Sequence, residues 1–316
     1  MILSDYFLCE ESRQWHFAKQ MGVQNAVIRL PEDSGFDLTD RKHWDQACKK
    51  LIDFGIKPVA IEPMPNCVHE HIKQGDSHRD ESILKVLKMF PIMDALDIRT
   101  ICFNWMAHIG WLRTVSDIKE RGGALVTGFD IEAFQPQDDF SISEETLWDN
   151  YEYFIRIAVP EAEKYGIRLA LHPDDPPLSK LGGVSRIMTS YQNINRAVNL
   201  VDSPSLGVTM CQATFSVMGE DLYSVIPAFA EQKKIFMVHF RDYVGNKMKF
   251  HESFHDNGQT NMADILWLYE NHGVDVPIRV DHVPLMAGEK EGNFGYTDLG
   301  RLFAIGYLKG LMDAIE

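Results

Sequence analysis

Short apolar runs rich in β-branched and aromatic residues alternate along this chain with longer segments whose apolar positions recur at helical spacing. The runs predict strands at 2–7, 26–30, 58–63, 100–106, 168–174, 206–211, 235–242 and 278–283. The periodic segments predict helices over about 11–21, 40–53, 80–96, 144–164, 191–201, 221–232, 262–272 and 299–314. Eight strand-then-helix units in 316 residues are the pattern of an α/β protein of the (β/α)8 TIM-barrel class. A doubly wound sheet would call for a glycine-rich turn after the first strand, and Leu8-Cys9-Glu10-Glu11 holds no glycine there. The connection from the fourth to the fifth strand is longer than one crossover helix requires, and it carries Arg121-Gly122-Gly123 and Gln135-Pro136-Gln137. It predicts a single domain, 1–316, with an inserted excursion at about 107–143 on the side where barrels build active-site covers.

Composition narrows the function classes. At 45% hydrophobic and 24% charged residues the chain is an ordinary globular one, not a disordered or fibrous one. Lys and Arg number 31 against 46 Asp and Glu, a net charge of −15, with no basic stripe. A field of that sign repels phosphate backbones and anionic lipid, which argues against nucleic-acid and membrane-surface partners and against a nuclease of related fold. The five cysteines form no CxxC pair, as expected for a reducing cytoplasm. The first residues lack the basic and apolar regions of a signal peptide, and no run of ~18 apolar residues predicts a membrane span.

In a barrel the catalytic groups come from the C-terminal ends of strands. The fifth predicted strand runs into Leu171-His172-Pro173-Asp174-Asp175-Pro176-Pro177, and the sixth ends Thr209-Met210-Cys211. The seventh ends Val238-His239-Phe240-Arg241-Asp242, and the eighth Arg279-Val280-Asp281-His282. Imidazole, thiolate and carboxylate are all first-row metal ligands, and several from separate rigid strands make a site with open positions for substrate. Taken singly, each has an ordinary reading: a hydrogen-bonded histidine, or a cysteine acting as a small buried hydrophobe. Their equivalent placement on successive strands is what points to a metal. Asp174 or Asp175 is placed to accept the second N–H of His172, and the same run also reads as a stiff turn into the next helix.

These residues carry a family resemblance. The run from His172 to Pro177, Cys102-Phe103-Asn104-Trp105-Met106, the Cys211 strand, Val238-His239-Phe240-Arg241, and Arg279-Val280-Asp281-His282 followed by Gly295-Tyr296 resemble the mannonate dehydratase family. Ile61-Glu62-Pro63, His71-Ile72-Lys73 and Phe250-His251-Glu252 with His255 and Gly258 agree in order, so the resemblance spans nearly the whole chain. It implies a barrel akin to xylose isomerase, a divalent metal that is usually manganese, and dehydration of D-mannonate to 2-keto-3-deoxygluconate in glucuronate breakdown. It implies His172, Cys211, His239 and Asp281 as metal ligands, and Arg279, His282 and Tyr296 as the catalytic set. Asn104, Arg241 and His251 would bind substrate together with Arg279. A homodimer or larger assembly is also implied.

The chain departs from the family pattern at Val280 and Val283, where proline and glycine are usual, and at Gln212-Ala213-Thr214, where a glycine is expected. Asn261 replaces a common aspartate, and Ala107 a common proline. A related aldonic acid is therefore an alternative substrate. Sugar isomerisation or epimerisation on the same barrel is another reading, and a non-catalytic sugar-acid binding protein a third. A thiolate with imidazoles by itself suits Zn2+ better than Mg2+, whereas the resemblance implies Mn2+; Fe2+ and Co2+ are further divalent options.

Dehydration of a 2,3-dihydroxy acid removes the C2 proton beside a carboxylate and expels the C3 hydroxyl. The charge that builds on the carboxylate oxygens asks for a cation, which a divalent metal and Arg279 would supply. The leaving hydroxyl asks for an acid. His282 is expected to transfer the proton and Tyr296 to bind or protonate the substrate, with the reverse assignment equally open to these residues.

Overall fold

The computed structural model describes residues 1–33, 35–290 and 294–315. Its strands β1 (Ile2–Leu8), β2 (Asn25–Arg29), β3 (Lys57–Ile61), β4 (Thr100–Phe103), β5 (Arg168–Leu171), β6 (Leu206–Cys211), β7 (Ile235–Phe240) and β8 (Pro277–Val280) close into a barrel in sequential order. Every neighbouring pair is parallel. All eight predicted strands are present, and so are the predicted helices, among them Arg41–Phe54, Arg79–Ala95 and Glu144–Lys164.

The alternation of side chains along each strand decides what reaches the site. One parity (Ile28, Ile61, Phe103, Leu171, Met210, Val238, Phe240 and Ile278) packs against the helices in the main core. The other parity places small or slender residues, Val27, Ala60, Cys102 and Met237, together in the lumen. Two residues further along, that inward row becomes Glu62, Asn104 and His239 at the C-terminal rim. The lumen is filled below and polar above, so the polar groups gather at one mouth.

Strands 4, 5, 7 and 8 stop two or three residues earlier than the sequence pattern predicts, which leaves Asn104, His172, Arg241 and Asp281 just beyond them. The ladder nevertheless continues briefly: His172 N–H donates to Phe103 O at 2.7 Å and Asp281 N–H to Phe240 O at 3.1 Å. These residues are therefore held by backbone bonds although they no longer belong to the strands.

The chain also holds elements that the periodicity did not reveal. Helix Asn66–Gln74 precedes Arg79–Ala95, and helix Gln212–Met218 begins directly after Cys211. A four-stranded antiparallel sheet joins Val115–Lys119 and Leu125–Asp130, from the segment after β4, to Lys249–Glu252 and Tyr243–Asn246, from the segment after β7. A further bridge ties Leu125 to Leu285. The segments after β4, β7 and β8 are thus stitched into one layer. Among the described residues no helix is long and apolar enough to cross a membrane.

Candidate active site

Three donor atoms, one each from His172, Cys211 and His239, lie within 4.8 Å of one another. His172 Nε2 and His239 Nδ1 are 3.2 Å apart, and Asp281 Oδ2 is 3.7 Å from that same Nδ1. Burial alone would keep the Cys211 thiol protonated, yet Arg241 and the two imidazoles outweigh it and hold its pKa well below the usual thiol range. Arg241 Nε approaches the sulfur at 3.3 Å. Two imidazoles and a thiolate converge here, with the Asp281 carboxylate beside His239, and such a donor set suits a divalent first-row ion.

Two carboxylates support this centre. Glu62, which follows β3, accepts Arg279 Nε at 2.8 Å and Nη2 at 2.7 Å. Its Oε1 is also 3.1 Å from His239 Nε2, off the line of a hydrogen bond, so that buried nitrogen has no hydrogen-bond partner among the described residues. Burial and Arg279 both oppose protonation of His239, but Glu62 and the Cys211 sulfur overcome them and raise its pKa to about 9. Glu252, from the strand Lys249–Glu252, accepts Arg241 Nη1 at 2.6 and 2.7 Å and lies 3.0 Å from His282 Nδ1. Burial would raise its carboxyl pKa; Arg241, Arg113 and His282 instead hold it far below the usual range.

A cleft of about 740 Å³ opens at this rim. Of the residues picked out from sequence, Asn104, His172, Asp175, His239, Arg279, Asp281, His282 and Tyr296 line it. Asp281 accepts Arg279 Nη1 at 2.8 Å and the Tyr296 hydroxyl at 3.2 Å. The ring of His282, at a left-handed φ of 29°, lies between Trp111 at 4.9 Å and Tyr296 at 5.5 Å between centroids. Burial and the nearby Asp281 carboxylate keep the Tyr296 phenol protonated, with its pKa raised well above the usual value.

Other residues picked out from sequence sit elsewhere. Cys211 faces the centre from behind and does not line the cleft. Arg241 is also outside it: its guanidinium is 1% exposed and fully engaged by Glu252, Asp175, Thr214 and Cys211. It therefore supports the thiolate and has no free face toward a substrate. His251 lies on the hairpin, with Nδ1 2.8 Å from Glu252 O, and it too is absent from the cleft lining. Neither aspartate after His172 holds its ring. His172 Nδ1 is 2.6 Å from Pro173 O, while Asp174 accepts the Met188 N–H and Asp175 pairs with Arg113 and Arg241.

Glu62, Arg113 and Glu252 were missed at the sequence level. Glu62 carried the same signal as the others, an ionisable residue at the end of a predicted strand. Arg113 carried none, since it sits in an aperiodic segment, and Glu252 carried only its place in a run that agrees with the family order, with no sign of the partners it meets.

The profile of the family described as D-mannonate dehydratase (UxuA) matches residues 11–141 and 132–316. A mannonate dehydratase of Streptococcus uberis is 32% identical over 93% of this chain and 91% of its own. The crystal structure of mannonate dehydratase from Streptococcus suis serotype 2 superposes with a TM-score of 0.91 at 26% identity, over 100% of this chain and 95% of that one. A xylose isomerase domain protein from Planctomyces limnophilus, 13% identical, superposes over 99% of this chain and 97% of its own with a TM-score of 0.62, which reflects the shared fold.

Proposed function

The chain belongs to the mannonate dehydratase family and is a sugar-acid dehydratase, a hydro-lyase; we propose that its substrate is D-mannonate and its product 2-keto-3-deoxy-D-gluconate, in glucuronate catabolism. The observation that carries this reading is the cluster of His172, Cys211 and His239 at the base of a cleft that Arg279, Asp281, His282 and Tyr296 line. The departures from the family pattern support the substrate as well. Val280, Val283, Gln212, Ala213, Thr214, Asn261 and Ala107 all lie outside the cleft lining.

His172, Cys211, His239 and Asp281 would hold a divalent ion, for which we propose Mn2+. When bound, the ion neutralises the substrate carboxylate and the charge that grows on it as C2 loses its proton. Arg279 has five N–H donors, and four meet Glu62, Asp281 and Val280 O, which leaves one on Nη2 for a substrate oxygen. Its guanidinium is thus fixed before substrate arrives. His282 Nδ1 faces an ionised carboxylate, which can only accept, so Nδ1 carries the proton and Nε2 is the basic nitrogen. In this reading the C2 proton goes to His282 Nε2. The C3–O bond breaks as the C2–C3 double bond forms, and Tyr296 donates its proton to the departing hydroxide to give water. The resulting enol becomes the 2-keto acid. All five cysteines are free thiols in the structure, which supports a reducing cytoplasm.

A screen of aldonic acids for 2-keto-3-deoxy products with manganese present tests the substrate. D-Mannonate is expected to give the highest kcat/KM, and a faster turnover of another aldonate would move the assignment to that acid. His282→Asn is expected to abolish exchange of the C2 hydrogen with solvent while metal content stays at the native level; retained exchange would eliminate His282 as the base. Metal analysis of protein purified without supplement tests the ion. Stoichiometric zinc with full activity would overturn manganese.

A further inference from the structure

Glu252 does not line the cleft and is 1% exposed, yet its carboxylate is the only contact that the structure gives the Nδ1 of His282 among the described residues. It is held from two sides. Arg241 Nη1 bridges both of its oxygens, and Arg113 Nε donates to Oε1 at 3.0 Å. Arg113 belongs to the segment after β4. Its side chain is 3% exposed, and its guanidinium sits 4.8 Å from the ring centroids of both Trp111 and Phe250. It also makes a two-pronged contact with Asp175, at 2.7 and 2.9 Å, and Arg241 meets the same carboxylate at 2.7 Å. Two guanidiniums and two carboxylates form a closed, charge-balanced ring behind His282.

That geometry does more than neutralise charge. Arg241 alone already balances Glu252, and Asp175 alone already balances Arg113. The added consequence of joining all four is directional: the carboxylate of Glu252 cannot rotate without breaking charge-assisted bonds to both arginines. Its Oε1 therefore stays aimed at His282. We infer that Glu252 and Arg113 are positioning residues for proton transfer, with Arg113 fixing Glu252 and Glu252 fixing the tautomer and ring plane of His282. The inference rests on the assignment of His282 as base. It makes the excursion a fixed wall of the active site, which reaches the chemistry through a carboxylate on a different segment of the same sheet.

The test is a double-mutant cycle on manganese-loaded enzyme, read by kcat, KM, metal content and C2 hydrogen exchange. Glu252→Gln is expected to lower kcat by about 10-fold or more, with KM and metal content nearly unchanged, because the amide can turn an N–H toward His282 and select the wrong tautomer. Arg113→Lys is expected to lose less, since the ammonium keeps the charge and gives up only the forked geometry that spans the two carboxylates. In a His282→Asn background Glu252→Gln should cost under about two-fold, because residues that act through one group are not additive. Equal losses in both backgrounds, or an unchanged kcat in Glu252→Gln, would overturn the inference. Should Glu252→Gln not fold, the same cycle run with Arg113→Lys decides by the same criterion. A His282→Asn enzyme that keeps its kcat would instead overturn the base assignment and this inference with it, and that outcome is visible in the single variant.

Discussion

Glu62 holds two groups of different purpose with one carboxylate. Both of its oxygens receive Arg279, and one of them also faces the imidazole of His239 on the side away from His172. A carboxylate beside an imidazole raises its basicity, and Glu62 does so by its charge for His239, a proposed ligand. Glu62→Gln is therefore expected to weaken metal binding by about 10- to 100-fold, measured by competition with a chelator of known affinity. Asp242 shows the opposite situation. Its carboxylate accepts backbone N–H bonds from Tyr243 at 2.8 Å and Thr260 at 3.2 Å, and burial pushes its pKa up to about 6. A carboxyl whose pKa is raised on folding binds its proton better in the native state. Its contribution is present in full below about pH 4 and is lost as the pH rises through 6. Asp242→Asn is expected to stabilise the fold at pH 8 by about 3 kcal/mol, seen as a raised Tm, and to leave Tm unchanged near pH 4. Thermal melts at the two pH values check this.

The four-stranded sheet over the rim is where elements far apart in sequence become one structural unit. Gly128 sits at a close approach within it: a Cβ there would lie 2.5 Å from Ile118 Cδ1, 2.8 Å from Phe250 O and 3.0 Å from His251 Cβ. Gly128→Ala must push the strand Lys249–Glu252 away, and with it the carboxylate that faces His282. Activity is expected to fall by about 10-fold or more while the barrel melts nearly as before, since a small misplacement at a catalytic group is costly and the sheet lies outside the main core. Kinetics together with circular dichroism would distinguish this from general unfolding. The eight barrel strands were legible because each is a short run dominated by apolar residues. This sheet was not, because its strands are short and partly exposed, and its two local pairs meet only across more than a hundred residues.

Over the whole molecule, the proposed ligand set joins four strands. Its donors come from the ends of β5, β6, β7 and β8, half of the barrel, so a metal bound there would stabilise the closed fold by mass action. Chelation of the bound ion is expected to lower Tm by about 5 °C, from about 2.7 kcal/mol of binding linkage at a hundred-fold excess over Kd. Calorimetry with and without chelator reads it out. The net charge of −15 acts in the other direction on an anionic substrate. Attraction must come from the immediate surroundings of the ion and Arg279, because Arg241 is balanced and turned away. Raising salt is expected to leave kcat/KM unchanged or increase it by about two-fold, as screening removes long-range repulsion.

Local patterning was enough to settle the order of the strands and the parity of their side chains, and therefore that His172, His239, Arg279, Asp281 and His282 would share one rim. These follow from periodicity along the chain and from the rule that neighbours in a (β/α)8 chain are neighbours in space. Which acid meets which arginine was settled only by the packed fold. Arg279 finds Glu62 across 217 positions and Arg113 finds Glu252 across 139. The choice among 46 acidic residues depends on distances of a few ångströms between groups that no local pattern brings together. The same pairing took Arg241 out of the cleft and placed it behind the thiolate. A buried guanidinium must be matched by the charges that the fold puts beside it, whatever its place along the chain.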